Sequence, residues 1–403
     1  MKYKSLLILF LLGSTYVSYA QNITVKGVVK DLTNLLPIPG ANIGTLKSNF
    51  STISNDEGAF EFVLPKVTDT LKISAMGYKD FKIALTAIKD NEFYLESKIN
   101  DLEEVIIVKG GMQDLLELII ETSKEKFTTP IVMNSYFREF VRVNDRFTKF
   151  SDGELDYLLN HHNKKLVSDL NVKQARAYKI PKMEEDGNES VFDDIKSAFN
   201  IDELPGNVDN FRFLERTILK NKDFKKYEFI LKSKKDGDGN EMMTLYFNPI
   251  DSVEEHLFKG FVTYDPKTNL IYSVSFQKDA AKIKYANDIN LLLFRFTILE
   301  NDVKANYKMS NGSYVMSNLS VGFKFNVKKK NKFDDNIELK MDMVVTNFTK
   351  DTSGFDLKKV YEGKSLFEFG THFTTPFWKN NNAILLTDKE EKIIRDLEAK
   401  SQP

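Results

Sequence analysis

From Tyr314 to Val345 the chain alternates apolar and polar residues almost without a break. Leu319, Val321, Phe323, Phe325 and Val327 interleave with Ser320, Gly322, Lys324, Asn326 and Lys328. Ile337, Leu339, Met341, Met343 and Val345 do the same with Glu338, Lys340, Asp342, Val344 and Thr346. A period of two over this length predicts two long half-buried antiparallel strands, one face dry and one wet, joined at a charged turn. The rest of the chain is read around this ribbon.

At 403 residues the sequence has room for two or three domains. An apolar content of 42% with 12% aromatic residues is enough for packed cores and argues against global disorder. Lys and Arg number 57 against 58 Asp and Glu, a net charge of -1, so nothing in the charge balance points to a nucleic-acid partner. With Cys at 0 there is no disulfide, no thiolate metal site and no cysteine nucleophile, and no lipid-bearing cysteine for a lipoprotein anchor.

Lys2 and Lys4, the apolar run Leu6 to Leu12 and the small residues of Ser18-Tyr19-Ala20 read as a secretory signal peptide over 1–20. Gln21 would then begin the mature chain. The run is short for a span of roughly 20 residues, and Ser14 and Thr15 interrupt it, which disfavours an uncleaved anchor. No later segment is long and apolar enough for a transmembrane helix. Localisation is therefore expected to be exported, either periplasmic or associated with the outer membrane.

Residues 22–97 carry short strand signals at regular turns. Ile23 to Asp31 opens as a strand, and Pro37, Pro39 and Gly40 punctuate a turn. Asn55-Asp56-Glu57-Gly58 turns the chain again, with an Asx former and a glycine for positive φ. Phe60, Phe62 and Leu64, then Leu71, Ile73 and Ala75, then Phe81, Ile83 and Leu85, each alternate. This predicts a seven-strand-type β-sandwich. The order VKGVVKD, PIPGANI, STISNDEGAFEF, LKISAMGYKD resembles the carboxypeptidase-regulatory-like family, with Gly27, Pro39, Gly40, Ala41, Asp56, Gly58, Phe60, Gly77 and Tyr78 matching its pattern. The resemblance implies a transthyretin-like sandwich, found beside carboxypeptidases and at the N-termini of TonB-dependent outer-membrane receptors. It implies no peptidase activity, because the module is an accessory fold.

Residues 98–111 hold a β-branched run, Val105 to Val108, before Gly110-Gly111. The segment resembles the one that follows the sandwich in TonB-dependent receptors, where a short strand can pair with an energising partner by β-addition. The other reading, which the limited length of this chain favours, is a linker strand that pairs inside the protein.

Residues 112–400 read as a second, β-rich domain. Leu115, Leu116, Ile119 and Ile120 recur at helical spacing, predicting a helix over 113–126. Strands follow over 135–143 and 147–159 around Asn144-Asp145. The polar, acidic stretch 181–206 is a candidate mobile loop with a short helix at 192–199. From Tyr227 strands alternate in pairs about Asp236-Gly237-Asp238-Gly239, Asp265-Pro266 and Asn311-Gly312, the last a strong hairpin signal. The expected architecture is mainly β: the sandwich, then a large antiparallel β-meander with a flanking N-terminal helix and a C-terminal helix over 388–399. The segments SYFREF, FKGFVTYDPKTNLIYSV and PFWKNNNAILLTDKEE look like the middle region of bacterial envelope proteins that pair this sandwich with a domain of unknown function. Several such relatives continue into an outer-membrane barrel; this sequence stops at Pro403, so the expectation is a chain without that barrel.

A search for reactive chemistry finds little. The histidines are His161, His162, His256 and His372, and none begins His-x-x-Glu or His-Glu-x-x-His. Asp236 to Asn240 imitates the start of a calcium loop, but Glu241 and Phe247 stand where glycine and a bidentate Glu belong. Ser123 to Lys126 matches Ser-x-x-Lys, too short a pattern to weigh. Lys328 to Lys330 with Lys332 could meet anionic headgroups, but Asp334 and Asp335 follow at once. Trp378 reads as an anchor of the C-terminal segment on the sheet. No catalytic, cofactor or metal residue is expected.

The favoured reading is a non-enzymatic exported cell-envelope protein that binds or scaffolds through the sandwich and the large sheet. Its candidate partners are an outer-membrane or TonB-linked envelope protein and an apolar ligand. A carrier of an apolar ligand or lipid in a half-barrel and a peptidase-associated protein or hydrolase are the alternatives. A transmembrane barrel fits the alternation, but the polar loops and charged terminal helix oppose it.

Overall fold

The structure is a computed structural model. It describes residues 22–64, 69–75, 77–97, 104–106, 111–162, 165–179, 211–219, 224–235, 240–291, 294–329, 332–363, 365–371 and 383–401. The expected signal peptide, the acidic stretch 181–206, the hairpin tip 236–239, His372 and Trp378 lie outside these residues.

The N-terminal module is a sandwich of two sheets. One has the order β4 (Ala59–Leu64), β1 (Ile23–Asp31), β7 (Glu92–Leu95). The other runs β3 (Ser51–Ile53), β2 (Asn42–Thr45), β5 (Thr70–Ser74), β6 (Phe81–Ala84). Val25, Val29, Phe60, Phe62, Ile43, Leu71 and Ile73 meet between them, so the alternating positions form the core. Gly58 sits at φ 72, and a Cβ there would stand 2.5 Å from the Val29 carbonyl oxygen. Only glycine fits the turn at both counts.

The second module is one large antiparallel sheet. Its strands are β8 (Glu104–Ile106), β9 (Ile131–Val143), β10 (Arg146–His162), β11 (Lys165–Lys179), β12 (Tyr227–Lys235), β13 (Glu241–Pro249), β14 (Phe258–Asp265), β15 (Leu270–Lys278), β16 (Asp288–Leu291), β17 (Phe294–Ser310), β18 (Ser313–Lys329) and β19 (Phe333–Thr349). The order is β11-β10-β9-β19-β18-β17-β15-β14-β13-β12-β8, with β16 beside β17. Among the described residues the path is open, with β11 and β8 at its ends. The linker segment therefore pairs inside the protein, Leu231 with Ile106 and Ser233 with Glu104.

The alternation at 314–345 is realised as expected: Leu319 faces Met343, Phe323 faces Leu339 and Phe325 faces Ile337. Asn311 and Gly312 take φ 48 and 70, and Asn144 and Asp145 take 47 and 64, as two-residue hairpins of this twist require. One feature departs from a plain meander. β9 does not lie at an edge; it is inserted between β10 and β19, the last strand. Its near-continuous burial from Ile131 to Val141 gives the reason, since such a strand needs neighbours and cover on both sides.

Helix α1 (Met112–Lys126) lies on one face of this sheet. Leu116, Ile119 and Ile120 are fully buried there with Phe137, Tyr157, Leu245, Val274 and Tyr314. Ser123 accepts the Ile271 amide at 2.9 Å, which fixes the helix against β15. The helical turn Phe211–Leu214 and the residues to Leu219 add Phe211, Leu214 and Ile218 to the same cluster.

The sandwich rests on the other face, along β19. The Ser51 hydroxyl donates to the Val345 carbonyl at 2.7 Å and accepts from the Lys308 ammonium at 2.8 Å. Asn42 donates to Ser317 at 2.8 Å, Asn49 to the Phe348 carbonyl at 3.1 Å, and Ile53 packs beside Tyr136 and Val344. Burial lowers the Lys308 amine to about 8. Ser51→Ala removes both contacts, and urea unfolding of that variant is expected to show a loss of about 1–2 kcal/mol.

Candidate functional site

The outer face of β9, β10, β11 and β19 gathers charge under cover. Even-numbered positions of β9 and β10 point outward here, which brings Asn134, Tyr136, Arg138, Asp152, Glu154 and Asp156 to one face. The register sets Arg176, Asp152, Arg138 and Asp342 side by side on four neighbouring strands. Their signs alternate, so each cross-strand neighbour is an attraction.

Asp152 is completely buried. Arg176 grips it with two nitrogens at 2.7 Å each, and the Tyr136 hydroxyl donates to it at 2.9 Å. Arg138 is 3% exposed. Its Nε lies 3.1 Å from Asp342 and its Nη1 3.3 Å from Glu390. Burial opposes the Arg138 charge, but Asp342 and then Glu390 outweigh it and hold the guanidinium above its ordinary value. Asp156 receives Lys173 at 2.7 Å and Asn134 at 2.6 Å. A further rung, Arg142 with Glu338 at 3.1 Å and Lys324 with Glu300 at 3.6 Å, repeats the pattern in a wetter setting.

The cover is the C-terminal helix α2 (Asp388–Ser401). Thr387 and Glu390 close a capping box at its start: the Glu390 amide donates to the Thr387 hydroxyl at 3.2 Å, and the Thr387 amide to the Glu390 carboxylate at 2.8 Å. Glu390 thus caps its own helix and reaches Arg138 with its other oxygen. Ile394 and Leu397 then bury against Phe140 and Phe150.

Glu154 lies between Asp152 and Asp156 and is 5% exposed. Burial, with the Asp156 charge next, raises its carboxyl to about 8 despite the attraction of Lys173. The cluster is therefore an interlock of paired side chains around one acid that burial keeps protonated at neutral pH.

The residues singled out in the sequence are scattered. His161 contacts the Thr129 hydroxyl at 2.8 Å, while His256 is buried near Lys278 on another part of the sheet, its imidazole kept below the usual value by that burial. Ser123 is occupied by the Ile271 amide and is no surface residue, while Lys126 is exposed. Among the described residues no three His, Cys, Asp or Glu side chains converge as metal ligands. Lys328 pairs with Asp334 at 3.0 Å, and Lys329 lies over the Phe294 ring. On the α1 face, a recess of about 270 Å³ opens beside Glu117, Ile120, Glu121, Glu215 and Leu219. Three of its lining residues are acidic, and one of them, Glu215, pairs with Lys124.

These features define a mainly β protein in which a small sandwich is docked on a large open sheet. Residues 25–107 match the CarboxypepD_reg-like domain family and form a domain of that kind. Over 134 residues the chain is 27% identical to the TonB-dependent receptor SusC of Bacteroides thetaiotaomicron, covering 32% of this chain and 13% of the receptor. By structure it is similar to a DUF1329 family protein from Desulfovibrio piger, with 10% identity, 62% of this chain and 97% of that one covered, and a TM-score of 0.23. A LolA superfamily protein from Nitrosomonas europaea gives 11% identity, 59% and 96% coverage and a TM-score of 0.16. Lipovitellin gives 8% identity, 65% and 29% coverage and a TM-score of 0.25.

Proposed function

We propose that this is a non-enzymatic exported cell-envelope protein with a binding or scaffolding role, its sandwich held at a fixed angle by the large sheet. The observation that carries the reading is the filling of the sheet's apolar face. Leu116, Ile119, Ile120, Phe211, Leu214 and Ile218 occupy the space in which a half-barrel carrier would hold its cargo. The other face is spent on the sandwich, the charge ladder and α2. Among the described residues, what remains for contacts is the outside of the sandwich and the rims of the sheet.

The partner we infer is an outer-membrane protein of the kind this chain resembles over 134 residues, a TonB-dependent receptor, met through the sandwich. Cross-linking in intact envelopes followed by purification tests this. The expected result is co-purification of an outer-membrane protein and, on organic extraction, no lipid in molar proportion. A stoichiometric lipid would replace the scaffold with a carrier. Hydrolysis of peptide or ester substrates by the purified chain would replace it with an enzyme.

A further inference from the structure

The two modules keep separate cores. Among the described residues, the sandwich cluster runs from Val25 to Leu95 and the main cluster of the sheet starts at Met112, with no member in common. Ile53 is the one sandwich residue that joins a cluster of the second module, beside Tyr136, Val344 and Ile384. The other contacts of the seat are polar. Besides the bonds of Ser51, Asn42 and Asn49, the Asn311 side chain donates to the Lys47 carbonyl at 3.1 Å and to the Asn49 side chain at 2.7 Å, and Lys340 reaches Asp56 at 3.3 Å. A polar interface between domains parts readily, because water replaces each bond that is broken.

Lys308 is the odd member of this seat. Among the described residues its ammonium has the Ser51 hydroxyl as its one hydrogen-bond partner, and no carboxylate answers it. The charges nearby are engaged elsewhere. Asp56 takes Lys340, and Asp302, on the same strand as Lys308, is attracted by Lys304 and Lys340. Lys47 meets the seat through its carbonyl, and Asp69 behind it accepts the Lys47 and Ser48 amides. A cation kept from water without a counter-charge is a cost that the docked state bears and an undocked state does not.

We propose that the seat of the sandwich on β17 to β19 is a latch with Lys308 as its catch. While that amine carries a proton, the sandwich lifts readily off the sheet; when the proton leaves, the seat closes. The fixed angle of the sandwich is that of the closed state. Opening uncovers β3, the terminal strand of its sheet, whose Ser51 and Thr52 are 1% exposed when docked. A bare edge of this kind can take up a strand from another chain. The latch stands apart from the scaffold reading, since it works in the chain alone with no partner present.

In the open state the lysine has its ordinary value of 10.5, and in the closed state burial brings it to about 8. Between those values closing expels a proton. Closure therefore strengthens as pH rises through this window, by up to about tenfold per pH unit, and is weakest and flat below it.

The absence of cysteine makes the test direct. A single thiol is placed in the full chain by Ser317→Cys or Asn42→Cys, on the two sides of the seat. Two references carry it at Val262→Cys in the core of the sheet and at Lys267→Cys on the surface. The rate of reaction with an aromatic disulfide reagent, divided by that of the surface thiol at the same pH, gives the open fraction. Both seat thiols are expected to react at pH 7 at least about tenfold faster than the core thiol. They should become at least about tenfold more protected between pH 8 and 9.5. Lys308→Met should slow both at pH 7 and remove the pH dependence. Glu154 weakens the fold as pH rises, the opposite trend, and so does not imitate this one. Either seat thiol serves if the other disturbs folding. Seat thiols that react no faster than the core thiol overturn the proposal. So does protection that stays flat from pH 8 to 9.5, or a rise that survives Lys308→Met.

Discussion

Arg138→Ala is expected to lower the free energy of unfolding by about 3–5 kcal/mol, the range for removing one partner from a buried ion pair. Two carboxylates depend on this guanidinium, Asp342 at 3.1 Å and Glu390 at 3.3 Å, and their side chains are only 11% and 13% exposed. The loss reaches beyond the strand. Glu390 belongs to the capping box of α2, so its release should loosen the helix that covers Phe140 and Phe150. Urea unfolding measures the first effect, and tryptic cleavage at Lys389 or Lys392 the second. The double variant Arg138→Leu with Asp342→Leu should recover part of the stability while leaving Glu390 unpaired. A loss below about 1 kcal/mol for Arg138→Ala would mean that the ladder is ornament on a sheet held by its apolar residues alone.

Glu154 supplies the second large effect, and it depends on pH. Its carboxyl is raised from 4.5 to about 8 in the folded chain, mainly by burial. Between those values the folded protein keeps a proton that the unfolded chain has released. Stability is therefore greatest below about pH 4.5 as far as this group is concerned, and falls as pH rises towards 8. At 1.36 kcal/mol per pH unit the decline is on the order of 5 kcal/mol. Glu154→Gln keeps the shape and cannot ionise, so it should match the parent at pH 5 and exceed it by a few kcal/mol at pH 8. Chemical denaturation at the two pH values gives the comparison. An equal slope in both proteins would show that Glu154 reaches water.

Much of the architecture could be read from periodicity. The long ribbons β17 to β19, the hairpin at Asn311-Gly312, α1 and α2 all have strong repeats or turn chemistry, and each lies where the residues placed it. β11 was not visible. Lys165 to Lys179 is apolar enough, but Leu166 and Val167 are adjacent and a bulge between Val172 and Gln174 breaks its alternation. The charge ladder was equally hidden, because Arg138, Asp152, Arg176, Asp342 and Glu390 become neighbours only once four strands and a helix are in register. A period of two tells which face each occupies, not which strand lies alongside. The signal that could have been followed is local: Arg138, Asp152 and Asp342 each interrupt the wet face of a strand flanked by bulky apolar residues. Lys308 was in plain view as a polar residue of a strand, but nothing in composition says that another module lies over it.

The placement of β9 has a consequence for how the chain reaches this state. Its partner on one side, β10, emerges next from the ribosome; its partner on the other, β19, arrives some 200 residues later, as the separation of 204 between Arg138 and Asp342 records. Until then a greasy strand stands with one row of amides and carbonyls unclaimed, a template for any passing β-edge. Assembly of the big sheet is consequently slow and non-local, and a nascent or stalled chain is most vulnerable to clumping along that single seam.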